Sequence, residues 1–227
     1  MAGGLNDLFS RLGGRRGETP GETGAPAASA DTDLIYPTKA LPKFLSNMAT
    51  KPSPALLDLG PVVGSNVSFF GEELGCRIRV EDVFGDIERH AVNGTLDVLP
   101  EFFRTRFKSE PGTIDGILCW DVFDYLERAA ATSLAAALAR LLVAEGSLLG
   151  FFSTASDPGR AQYTKYIAVD QGNLRYRPYP GTRVRQRSLQ NRDIIKLFES
   201  LRVSDSFLMK TNMREIIFRK PAYLAGL

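Results

Sequence analysis

From about residue 55 onward, apolar residues fall in short runs broken by glycine and acidic turns, and their spacing switches between that of buried strands and that of amphipathic helices. Leu56-Leu57-Asp58-Leu59-Gly60-Pro61-Val62-Val63-Gly64-Ser65-Asn66 reads as a strand ending in an acid and a glycine turn. A helix over about 66–74 follows, with Gly75 as its C-terminal cap. Residues 76–82 read as a second strand with Ile78, Val80 and Asp82 on one side. Leu134, Leu138, Leu141 and Leu142 form the stripe of a helix, 147–152 a further strand, and Asn191 is placed to cap a helix over 192–201. Strands over 202–209 and 213–219 end the pattern. Strands alternating with helices argue for an α/β fold.

The glycine turn is where a ligand is expected. Unpaired N–H groups at the helix start, together with glycine's open dihedrals and close approach, make a nucleotide-sized pocket at the carboxyl end of a first strand. Pro61, Val62 and Val63 separate Gly60 from Gly64, so the G-x-G-x-x-G of a dinucleotide site is absent, and no lysine follows Gly64 as in a Walker loop. The segment resembles motif I of the class I S-adenosylmethionine-dependent methyltransferases, acid-x-G-x-G-x-G, with Asp58, Gly60 and Gly64 in place and Val62 at the middle glycine. Two more segments follow in the family's order. Cys76-Arg77-Ile78-Arg79-Val80-Glu81-Asp82 ends in acids, and Ile114-Asp115-Gly116-Ile117-Leu118-Cys119-Trp120-Asp121-Val122-Phe123-Asp124-Tyr125-Leu126 is similar to the family's fourth strand and its loop. Tyr125 stands where many small-molecule members carry histidine, and Ala144-Glu145-Gly146 where Pro-Gly-Gly is common.

The resemblance runs from about residue 34 to 221 and implies a doubly wound, mostly parallel sheet with helices on both faces, Rossmann-like, whose last strand is antiparallel. It also implies S-adenosylmethionine as cofactor, with Asp58, Gly60 and Gly64 at the methionine end. The ribose acid is Asp82 in preference to Glu81, because apolar Val83 and Phe84 follow it, and Cys119, Trp120 and Asp121 line the adenine or methionine side. A sulfonium donor is already activated, so alignment and desolvation supply most of the rate. Where the acceptor must lose a proton, Asp121, Tyr163 and Tyr166 are the candidate bases; alternatively Asp121 only orders the cofactor and the tyrosines pack. The family's third strand has no clean counterpart: 95–99 is either a short strand with Asp97 near the adenine or part of a helical stretch.

At 227 residues and 44% hydrophobic, the chain suits one domain over 33–227. Residues 13–32, rich in Gly, Pro, Ala, Ser and Thr, read as a flexible linker; Leu5, Leu8, Phe9 and Leu12 before it make a short apolar face, either a frayed tail or a docking segment. One histidine, His90, and two separated cysteines, Cys76 and Cys119, are too few for a zinc site, and no metal is expected. A hydrolase would depend on that single base. No segment has the length of a membrane span or the apolar core of a secretion signal, so a cytoplasmic protein is expected.

Residues 153–190 carry Arg160, Lys165, Arg175, Arg177, Arg183, Arg185 and Arg187 against Asp157 and Asp170, with Tyr163, Tyr166, Tyr176 and Tyr179 interleaved. Strands over 163–169 and 174–179 joined by Asp170-Gln171-Gly172-Asn173 read as a hairpin. It is either a solvated ribbon whose charges protect a sheet edge or a basic lid over the acceptor. Guanidinium groups and tyrosine faces suit an acidic small molecule or an RNA. The expected function is methyl transfer from S-adenosylmethionine to such an acceptor. A non-catalytic regulator or scaffold of the same fold is the alternative, favoured by Val62 and the irregular 88–107 stretch. A nicotinamide-dependent oxidoreductase would need the missing glycine.

Overall fold

The computed structural model describes residues 34–155, 159–186 and 188–222. The expected tail and linker over 1–32, and with them Asp157 and Arg187, lie outside the described residues. The centre is a six-stranded sheet. Apolar runs with no polar face demand burial on both sides, and β2 (Ala55–Asp58), β4 (Ile114–Trp120) and β5 (Leu142–Ser153) lie side by side in parallel, β4 buried at every position. With β3 (Arg77–Val80), β8 (Arg202–Leu208) and β9 (Met213–Arg219) the order is β3-β2-β4-β5-β9-β8; β9 runs antiparallel to both its neighbours.

One face is covered by α3 (Val83–Val92), α4 (Leu99–Arg106) and α5 (Arg128–Leu141), whose Phe84, Phe103, Leu134 and Leu138 pack with Leu148, Phe152 and Phe218. The other is covered by α1 (Ala40–Met48), whose Leu41, Phe44, Leu45 and Met48 recur at helical spacing and pack with Leu56, Leu149, Phe151 and Ile217. Thr38 Oγ1 and the N–H groups of Lys39 and Ala40 all donate to Glu215 Oε2 on β9, at 3.1, 2.9 and 2.8 Å, so a buried carboxylate starts this helix.

The stretch over 88–107 is helical, and no strand forms at 95–99. A 3₁₀ turn, Leu96–Val98, runs into α4, which has proline in its first turn, buries Leu99 and Phe103, and has the exposed Glu101 between them. Arg106 from α4 bonds Glu81 Oε2 and Asp86 Oδ2, both at 2.6 Å, beside the edge strand β3. The segment after the glycine turn starts as α2 (Gly64–Val67) and widens into π-helical turns over Ser68–Glu73 before Gly75 ends it at φ 66°. Asn191 does not cap the late helix: α6 (Asn191–Leu197) includes it, and its side chain accepts from Arg214 Nη1 at 2.8 Å.

A second, three-stranded antiparallel sheet is made from the insertion. β6 (Gln162–Asp170) and β7 (Asn173–Pro180) form the expected hairpin, and β1 (Leu34–Pro37), which the sequence pattern does not announce, pairs with the far side of β7. Among the described residues no helix is long and apolar enough to cross a membrane.

Candidate functional site

The carboxyl ends of β2, β3 and β4 meet at Asp58. Its Oδ1 accepts from Gly60 N–H at 2.8 Å and from the Trp120 indole N–H at 2.7 Å. The carboxyl is buried, and burial pushes it from 3.8 up to about 6 although both hydrogen bonds favour the charged form. Gly60 is closely approached: a Cβ there would lie 3.0 Å from the Trp120 ring and 3.1 Å from Asp58 Oδ1, so those side chains would have to give way. Gly64 is open, with nothing within 4 Å of an added Cβ, and Val62 is exposed.

Glu81 and Asp82 follow β3 but have different employment. Glu81 is held by Arg79 Nε and Arg106 Nη1, each at 2.6 Å; against the cost of its partial burial, these guanidinium groups bring its carboxyl below the usual range. Asp82 caps α3 by accepting from Gly85 N–H at 2.8 Å through Oδ1, and its Oδ2 remains for another partner.

Trp120 ends β4 with φ at 51°, a left-handed conformation that is uncommon for a bulky residue and is found at functional turns. Its ring stacks on Tyr166 of β6 at 5.2 Å and 7°. Behind the pair, Arg185 Nη2 bonds the fully buried Asp121 at 2.5 Å, and Arg185 Nε lies 3.8 Å from Asp124. Burial raises both acids, more than Arg185 lowers them, and Asp124, facing Asp121 as well, reaches about 7. Burial alone would weaken the Arg185 charge; Asp121 outweighs it and holds the guanidinium firmly protonated.

Of the three expected bases, Asp121 and Tyr166 share this neighbourhood and Tyr163 does not. Alternation along β6 sends Tyr163 to the opposite cluster, against Phe84 and Tyr125, where its hydroxyl donates to Glu88 at 2.8 Å. Cys119 likewise faces that other cluster, fully buried. Tyr125 donates to the Gln162 carbonyl at 2.9 Å. Two arginines of the insertion turn inward, Arg183 to the Tyr125 carbonyl and Arg185 to Asp121. Sequence reasoning missed Asp124, and it missed Asn66, which bonds the β6 backbone twice, Nδ2 donating to Tyr166 O and Oδ1 accepting from Ala168 N–H, both at 2.8 Å. A lone buried asparagine has no periodic signal. Two acids three apart in an otherwise apolar segment, Asp121 and Asp124, do signal a buried cation partner.

No protein-family model matches the chain, and no curated protein matches it. Solved structures do. A S-adenosylmethionine-dependent methyltransferase from Clostridium acetobutylicum ATCC 824 is 10% identical with a TM-score of 0.51, over 80% of this chain and 91% of that one. The PH0226 protein from Pyrococcus horikoshii OT3 is 15% identical with a TM-score of 0.48, over 79% and 87%. A Burkholderia thailandensis 1,6-didemethyltoxoflavin-N1-methyltransferase is 14% identical with a TM-score of 0.46, over 81% and 77%. The first likeness carries the assignment of fold: the chain has the Rossmann-like architecture of class I methyltransferases.

Proposed function

We propose that the chain binds S-adenosylmethionine across the ends of β2, β3 and β4 and transfers its methyl group to an acceptor held under the second sheet. The observation that carries this reading is the pair of strand-end acids on a glycine turn. Asp58 fixes the turn at Gly60, and Asp82 keeps one oxygen for a ribose hydroxyl where Glu81 keeps none. The open surface at Gly64 and the exposed first turn of α2 leave backbone N–H groups for the methionine carboxylate. When bound, the cofactor supplies a methyl group already activated on sulfur. What is left to the protein is orientation, exclusion of water and, for a protonated acceptor, removal of one proton. Asp121, paired with Arg185, and the adjacent Tyr166 are the groups placed for that proton.

One observation favours a non-catalytic regulator or scaffold instead. Trp120 covers Gly60, engages Asp58 and is backed by Tyr166, so an aromatic stack covers the glycine turn. Calorimetric titration separates the two readings. Wild type should bind S-adenosylmethionine and S-adenosylhomocysteine, and Gly60→Val and Asp82→Ala should each weaken binding by about tenfold or more. Failure of wild type to bind either compound defeats the cofactor assignment. Binding without transfer of label to acidic metabolites or total RNA would favour the regulator.

A further inference from the structure

We propose that the cavity between the second sheet and the β8–β9 turn binds a flat aromatic anion; this rests on the methyl-transfer reading only in making that anion the acceptor. The cavity has a volume of about 770 Å³, within the range of small-molecule sites. Its wall is a run of rings. Tyr36 meets Tyr176 at 4.8 Å and 59°, Tyr176 meets Tyr166 at 4.8 Å and 73°, and Tyr166 stacks on Trp120. Such faces take up a planar apolar body at little cost in side-chain entropy.

The charges in the lining are all positive: Lys39, Lys210 and Arg185. Lys39 and Lys210 are exposed, and neither makes an ion pair among the described residues. Of the nearest acids, Asp121 holds Arg185 and Glu215 holds the start of α1, each through one oxygen, the other oxygen being buried with no hydrogen bond among the described residues. Polar groups left without partners supply a second, independent observation. The Thr211 hydroxyl and Arg185 Nε, the latter 3.8 Å from Asp124, are buried in the lining with no hydrogen bond, and the Tyr166 hydroxyl is buried there beside Asp121. Buried donors are normally paired, and the Thr211 hydroxyl and Arg185 Nε can donate to a carboxylate, sulfonate or phosphate that enters between the lysines. Tyr166 also joins the cavity to the crevice, since its ring lies against Trp120, which covers Gly60. A ligand in the cavity is therefore felt at Asp58 through two stacked rings.

Trp120 is the single tryptophan of the chain, so its indole N–H gives one resonance in a nitrogen-15 spectrum, and that N–H is bonded to Asp58. The full chain is titrated with 2-naphthoate and with neutral 2-naphthylmethanol, followed by calorimetry and by that resonance. We expect the anion to bind and shift the indole signal, and the alcohol to bind about tenfold or more weakly, because each charge-assisted contact is worth that much. The Lys39→Gln/Lys210→Gln double variant should weaken 2-naphthoate by about tenfold or more and leave S-adenosylmethionine binding unchanged. Absence of 2-naphthoate binding, equal binding of the alcohol, or indifference to the lysine pair overturns the proposal. Tighter binding of a short single-stranded RNA than of 2-naphthoate through the same lysines overturns it too. Should 2-naphthoate bind as expected while S-adenosylmethionine does not bind at all, the cavity stands and the methyl-transfer reading falls; the reverse pattern removes the cavity alone.

Discussion

Asp58→Asn should make the protein more stable relative to wild type as the pH rises, although it removes a charge from the centre of the candidate site. Asparagine keeps an oxygen that can accept from Gly60 N–H and Trp120 Nε1, the two bonds Asp58 Oδ1 makes. What it removes is a buried ionisation. Desolvation lifts the Asp58 carboxyl from 3.8 to about 6, its hydrogen bonds opposing and Asp82 adding. A carboxyl whose folded pKa stands above its unfolded one holds a proton in the folded state that the unfolded chain has already lost, so rising pH favours unfolding until the folded group also ionises. A gap of roughly two pH units at about 1.4 kcal/mol per unit is about 3 kcal/mol, accumulated between about pH 4 and 6 and constant above. Urea unfolding of both proteins between about pH 4 and 8 measures it. Subtracting one curve from the other cancels groups the two proteins share, and any fixed cost of the amide appears only as an offset. A difference that does not change with pH, or one that moves in favour of wild type, refutes the reasoning.

Two further substitutions test the framework. Glu215→Ala leaves Thr38 Oγ1 and the N–H groups of Lys39 and Ala40 without their acceptor, and should cost about 2–4 kcal/mol in urea unfolding, while Glu215→Gln keeps an acceptor and should cost less. Asn66→Leu leaves Tyr166 O and Ala168 N–H unpaired in the interior, and should cost about 2 kcal/mol and speed hydrogen exchange along β6 before the rest of the sheet.

Elements whose identity is settled within a few residues were legible. The run from Leu56 to Gly64 announces a strand and its turn, and the Ile216-Ile217-Phe218 run announces the centre of β9, because burial on both faces needs no partner to be known. β1 was hidden since Leu34–Pro37 is mostly exposed and becomes a strand only by pairing with β7, some 140 residues on. The stripe of Leu41, Phe44, Leu45 and Met48 in α1 was present in the sequence but unremarked. In the candidate site, Asp58, Gly60 and Asp82 could be named from a local pattern, whereas the work of Trp120 could not: its bond to Asp58 spans 62 positions. Arg185 misled for a physical reason. Arginine in a basic run is ordinarily solvated, and this one is drawn inward by Asp121 and Asp124, acids on another element.

Asn66 also bears on the order in which the chain is made. Its two partners, Tyr166 and Ala168, lie 100 and 102 positions later. At about 5–20 residues per second of synthesis, the amide waits about 5–20 s for the strand that will bury it. Until then that side of α2 faces water, and the side chain must be comfortable there. Asparagine meets both conditions, hydrated while the chain is growing and fully bonded once β6 arrives. A leucine at this position would spend the same seconds as an exposed apolar surface beside Phe69 and Phe70, themselves awaiting a core, so the polar residue protects the growing chain from association before it holds the finished sheet in place.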